Sequence, residues 1–228
     1  MAPQYTRTML AHMRMRTRMH IQYASHLHLE RYGSDKVAFQ PMLKPVAPFL
    51  ALAGNIGNTS NRTYRDLFTY CSRNWLETFL VMGPTELNTE AQCKSLANEF
   101  RNVHILQRDR VDRRGVAFLG TTASEHDAEW LDCAITDCEE EGRPAVVLTH
   151  YFMPSYIRML RSPVRAWISG HTQTGTHMTW ICPNTDSFIL GVTNPFGNGY
   201  SREIFVDIST VGGNGGDTRD PLLVASAS

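Results

Sequence analysis

Acidic side chains are missing from the first eighteen residues, and the chain as a whole has few cysteines, no long apolar run and no net charge. Each absence excludes something. The five cysteines, Cys71, Cys93, Cys133, Cys138 and Cys182, are odd in number and form no Cys-x-x-Cys pair. That argues against a disulfide framework or a thiolate zinc site and favours a reducing compartment. No apolar stretch approaches the roughly 20 residues of a membrane helix, so no span is expected. Lys and Arg total 22 against 22 Asp and Glu. A dedicated nucleic-acid binder is usually strongly basic, so no nucleic-acid partner is expected. With 42% hydrophobic and 19% charged residues, the chain is neither disordered, collagen-like nor a coiled coil. At 228 residues it suits one domain with short appendages.

The charge balance conceals an asymmetry. Residues 1–18 hold Arg7, Arg14, Arg16 and Arg18 with no acid, leaving 18 basic against 22 acidic side chains in the rest. This leader lacks the apolar core of a secretory signal. Its composition suits a mitochondrial presequence, an upstream start ahead of Met19, or a basic arm that touches a partner. The expected location is intracellular, and cytoplasmic first. The Gly-rich segment at 212–228 has no periodicity and reads as a flexible tail. The expected division is a leader at 1–18, a domain at 19–211 and a tail at 212–228. Either arm could contact a protein partner in a complex or a virion.

Eight short apolar runs read as buried strands: 20–25, 49–53, 78–82, 116–119, 145–149, 166–169, 187–192 and 204–208. Amphipathic spacing predicts helices over 63–75, 89–100 and 124–141, the last stopped at Gly142-Arg143-Pro144. Strands alternating with helices imply an α/β layered fold. In such folds chemistry gathers beyond the C-terminal ends of the strands. Four of the nine histidines stand there: His26 and His28, His150, and His171.

These strand exits carry recognisable blocks. They are Ser25-His26-Leu27-His28, Ala53-Gly54-Asn55, Gly83-Pro84-Thr85-Glu86, Thr149-His150 and Ser169-Gly170-His171-Thr172-Gln173. In order, spacing and strand context the chain resembles the calcineurin-like metallophosphoesterases from about Met19 to Ile208. That family's blocks are Asp-x-His, Gly-Asp, Gly-Asn-His-Glu, a lone His and Gly-His-x-His. The resemblance implies a four-layer sandwich of two packed mixed β-sheets flanked by helices. It also implies a centre of two divalent metals sharing a bridging carboxylate, which lower the pKa of water and brace phosphate oxygens.

The departures fall on the chemistry. His28, His150 and His171 keep the residues of the family's metal ligands. His26 replaces an Asp, Asn55 replaces the bridging Asp, Pro84 replaces a ligand Asn, Thr85 replaces the catalytic His, and Gln173 replaces the last His. A neutral amide bridges two dications poorly, and a threonine cannot act as general acid near neutral pH. The resemblance therefore implies a degenerate, catalytically impaired phosphoesterase that serves as a binding or structural module. The alternative is a hydrolase working with one metal. The candidate ligands of a single divalent ion (Zn, Mn or Fe) are His28, His150 and His171, with His26, Asn55 and Gln173 as weaker candidates. A binuclear site is not expected.

Overall fold

A computed structural model describes residues 18–32, 37–172, 174–181, 188–196, 200–201, 204–209 and 223–225. The expected arms at 1–18 and 212–228 lie outside these residues, apart from Arg18 and Leu223–Ala225, which are both in strands.

All eight apolar runs are strands. They are β1 (Arg18–Ala24), β2 (Phe49–Ala53), β3 (Glu77–Val81), β6 (Val116–Thr121), β7 (Ala145–Thr149), β8 (Val164–Ser169), β10 (Phe188–Thr193) and β11 (Ile204–Ser209). Four further strands were not expected: β4 (Val103–Ile105), β5 (Asp109–Arg113), β9 (Thr176–Ile181) and β12 (Leu223–Ala225). Each of the four is the outermost strand of a sheet. One sheet runs β12-β11-β1-β2-β3-β4 and the other β5-β6-β7-β8-β10-β9. Within them β1 to β4 are mutually parallel, as are β6, β7, β8 and β10. The remaining pairings are antiparallel, so both sheets are mixed.

Strands β2, β6 and β7 are buried at every position because both faces are covered. Alternate residues serve different layers. Phe49, Ala51 and Ala53 of β2 face the space between the sheets, with Phe79, Phe118, Val146 and Leu148. There Phe79 of β3 stacks on Phe118 of β6 with centroids 3.9 Å apart. Leu50 and Leu52 face the other way, onto helix α1 (Arg62–Asn74) and helix α3 (Glu90–Ala97). Tyr64, Leu67, Phe68 and Cys71 form the buried stripe of α1 at helical spacing. Across the molecule Ala117, Leu119 and Val147 pack on Leu131, Ala134, Ile135 and Cys138 of helix α4 (Ala128–Glu140). The layers thus read helix, sheet, sheet, helix, an α/β sandwich.

Local chemistry sets the ends of these elements. A short helix α2 (Pro84–Leu87) begins at a proline, which has no N–H to leave unpaired in a first turn. Helix α4 ends where Gly142 takes φ +62°; its N–H donates to the Glu139 carbonyl and that of Arg143 to the Cys138 carbonyl. This is the glycine-terminated double bond of a Schellman cap. The β5–β6 hairpin turns at Arg114 (φ 51°) and Gly115 (φ 81°), two positive values that match the twist of the strands. Among the described residues Cys71, Cys93, Cys133 and Cys138 are free thiols. No helix there is long and apolar enough to cross a membrane.

Candidate metal centre

Because the inner strands are parallel, their C-terminal ends lie on one side, and the loops leaving them converge. The loops after β1 and β2 pair with each other beyond the sheet. His26 N–H donates to the Gly54 carbonyl (3.0 Å), His28 N–H to Asn55 (3.2 Å) and Leu29 N–H to Ile56 (2.8 Å). His26, His28 and Asn55 all hold positive φ, at 57°, 49° and 54°. Such backbone costs about 1–3 kcal/mol per residue and persists only where surroundings over-determine it. The cross-loop hydrogen bonds are that constraint.

Asn55 and the loop after β3 are tied by one buried side chain. Glu86, at the third position of α2, accepts four backbone N–H bonds. Oε1 takes Ile56 (2.6 Å) and Gly57 (2.9 Å), and Oε2 takes Gly83 (2.8 Å) and Asn55 (3.1 Å). Burial pushes its pKa up, and the four donors oppose that rise. All four neighbours are donors, so none can accept a carboxyl proton from it; the arrangement suits the ionised form.

His150 follows β7 and is fully buried. Its Nδ1 lies 2.9 Å from the Ala53 carbonyl oxygen. A carbonyl can only accept, so the proton is assigned to Nδ1 and the lone pair to Nε2. That Nε2 is buried and has no hydrogen-bond partner among the described residues. Glycine makes this placement possible. A Cβ on Gly170 would stand 1.8 Å from the Ala53 oxygen and 3.1 Å from His150 Nδ1. One on Gly54, whose φ is +80°, would stand 2.5 Å from the same nitrogen. Any larger residue at either position would break the His150–Ala53 contact.

His171 leaves β8 through a tight turn in which the N–H groups of Gly170 (3.1 Å) and His171 (2.6 Å) both donate to the His150 carbonyl. His26 Nδ1 lies 3.3 Å from Ser25 Oγ, which donates onward to the Gly170 carbonyl. Ring centroids separate His26 from His150 by 5.4 Å, His26 from His171 by 6.0 Å and His150 from His171 by 5.3 Å. Each of the three offers one nitrogen, and these nitrogens lie within 4.8 Å of one another. His150 is buried, His26 half-buried and His171 exposed. Burial first, then repulsion from neighbouring imidazoles, holds His26 down to about 4. Burial likewise holds His150 down to about 4, against the pull of the Ala53 hydrogen bond. Both imidazoles are therefore neutral at pH 7, the state in which nitrogen can ligate a metal.

The other expected residues sit around this group. His28 lies beside it, its ring 5.5 Å from that of His26, with Nδ1 held at 2.8 Å by Glu30 Oε1. Asn55 turns its Oδ1 to Thr85, accepting from Oγ1 (3.0 Å) and from the backbone N–H (3.4 Å). The Asn55 amide oxygen is thus occupied by Thr85. Gln173 lies outside the described residues. Among the described residues, the group of side chains that could hold a metal contains no carboxylate.

Sequence reasoning gave no role to two contributors. Glu86 had a faint signal, a Glu three residues after a helix-initiating Gly83. Tyr151 had none beyond its adjacency to His150. Its ring lies 4.6 Å from that of His150 and 4.5 Å from that of His171. Compared with known proteins, the chain matches no family model and no curated protein.

Proposed function

We propose that this chain is a calcineurin-like metallophosphoesterase domain whose two-metal centre has been reduced to a three-histidine site for one divalent transition metal. In this reading it is a metal-dependent binding module and a poor phosphoesterase. The carrying observation is the buried, unpartnered Nε2 of His150, whose Nδ1–H is committed to Ala53. A buried lone pair without a partner is costly, and a cation shared with His26 and His171 would satisfy it. Three imidazoles with an open position are a workable zinc shell. A nitrogen-only donor set suits Zn or Fe better than Mn, which prefers carboxylates. Held by three neutral ligands, such an ion keeps its full charge and supplies Lewis acidity toward an anionic group.

The same residues oppose a second ion. Pro84 has no side-chain donor, Asn55 Oδ1 is occupied by Thr85, and no carboxylate in the group would offset a second dication. Thr85, with its hydroxyl committed to Asn55, cannot protonate a leaving group near neutral pH. Loss of a general acid lowers rate by about 10²–10⁴-fold. The test is turnover of a generic phosphodiester with added Mn²⁺ or Zn²⁺, with His150→Ala as control. No turnover above the control is expected. Robust turnover that scales with wild-type protein and vanishes in His150→Ala would overturn the binding-module reading in favour of an active single-metal hydrolase.

A further inference from the structure

Of the three nitrogens, that of His171 is the least anchored, because its residue is exposed while His150 is buried and His26 half-buried. Its backbone is fixed by the His150 carbonyl, but a backbone bond does not choose a side-chain rotamer. Of the described rings around it, Tyr151 lies nearest, at 4.5 Å against 5.3 Å for His150 and 6.0 Å for His26. The Tyr151 ring meets His150 at 76° and His171 at 57°, with centroids 4.6 Å and 4.5 Å away. Tyr151 also packs against the helix-side cluster of the second sheet, and its backbone N–H donates to the Thr122 carbonyl at 3.1 Å. It is therefore a fixed wedge, anchored behind and in contact with two imidazoles in front. Tilted and edge-to-face contacts are the favoured aromatic geometries and resist rotation of either ring.

We infer that Tyr151 is a positioning residue for the three-histidine site, its ring holding the exposed imidazole of His171 in the rotamer that faces His26 and His150. This rests on the single-metal reading above. The ring is the working part, so the hydroxyl is dispensable. Groups that orient metal ligands from outside typically change affinity by about 10–100-fold when removed.

The test has a metal-free arm and a zinc arm, on the full chain. In the metal-free arm, histidine ring resonances are recorded for wild type, Tyr151→Phe and Tyr151→Ala. The His150 and His171 ring signals should carry a ring-current shift that Tyr151→Phe keeps and Tyr151→Ala loses. In the zinc arm, competition with a chromophoric chelator should show affinity about tenfold weaker for Tyr151→Ala and unchanged for Tyr151→Phe. If Tyr151→Ala does not fold, Tyr151→Leu takes its place with the same expectations. A folded non-aromatic variant that binds zinc like wild type overturns the inference, as does a Tyr151→Phe variant that binds as weakly as Tyr151→Ala. Wild type that shows the ring-current shifts yet takes up no zinc overturns the metal reading, and with it the role of Tyr151. Ring signals unmoved by Tyr151→Ala show instead that the contact itself is wrong.

Discussion

Replacing Glu86 by Gln changes no volume and removes one acceptor from the middle of the site. The four N–H groups of Asn55, Ile56, Gly57 and Gly83 converge on the two carboxylate oxygens at 2.6–3.1 Å. In Gln one oxygen becomes an NH₂ group. Whichever way the amide turns, two buried N–H donors then face another donor. Each unsatisfied buried group costs about 1–3 kcal/mol, and the surviving bonds lose the extra strength of a charged acceptor. A destabilisation of about 4 kcal/mol is expected, which for a chain of this size lowers Tm by roughly 8–16 °C. Urea denaturation of wild type and Glu86→Gln at pH 7 measures it. The expectation depends on an ionised carboxylate. Were Glu86 protonated in the folded state, Gln would mimic it closely. A loss under 1 kcal/mol would therefore refute both the ionised state and the clamp between the β2 and β3 exit loops.

Three further outcomes follow from the same geometry. Gly170→Ala drives a methyl onto the Ala53 carbonyl and should cost about 3 kcal/mol by overpacking; a chemical denaturation midpoint equal to wild type would show that the turn has room. Metal-free protein should weaken as pH falls from about 6.5 to about 4. The unfolded chain then takes up a proton on His150 that the folded site refuses, a slope of about 1.4 kcal/mol per pH unit for this buried group. Denaturation midpoints of wild type against His150→Gln at pH 7, 6 and 5 should converge toward the acid end, and a constant difference would contradict the depressed pKa. Combining His26→Asp, Asn55→Asp, Pro84→Asn, Thr85→His and Gln173→His should raise phosphodiester turnover by at least about 10²-fold with Mn²⁺ present. A folded variant with no gain in turnover would argue against a phosphoesterase scaffold.

The buried half of the fold was legible because its strands carry short, mostly apolar runs, as at Phe49–Ala53 and residues 145–148. The outermost strands were not. Asp109–Arg113 reads Asp-Arg-Val-Asp-Arg and is a strand only through its backbone pairing with β6. Val103–Ile105 has three residues, too few for any pattern. At the site, the histidines stood out by following strands, and parallel pairing then set them side by side. Their grouping was not legible, because it depends on side-chain direction. His26 and His28 are two residues apart with similar left-handed backbones, yet Glu30 holds Nδ1 of one while the nitrogen of the other joins His150 and His171. The spacing of Glu86 from Gly83 encodes only its bond to the Gly83 N–H, while its bonds to Asn55, Ile56 and Gly57 and the ring contacts of Tyr151 come from the fold.

Metal stoichiometry tests the central claim most directly. Protein purified without chelator, dialysed against trace Zn²⁺ and analysed by elemental mass spectrometry should hold one ion per chain, and His150→Ala should hold none. Two ions per chain, or a wild type as empty as His150→Ala, would contradict a three-histidine centre for a single metal.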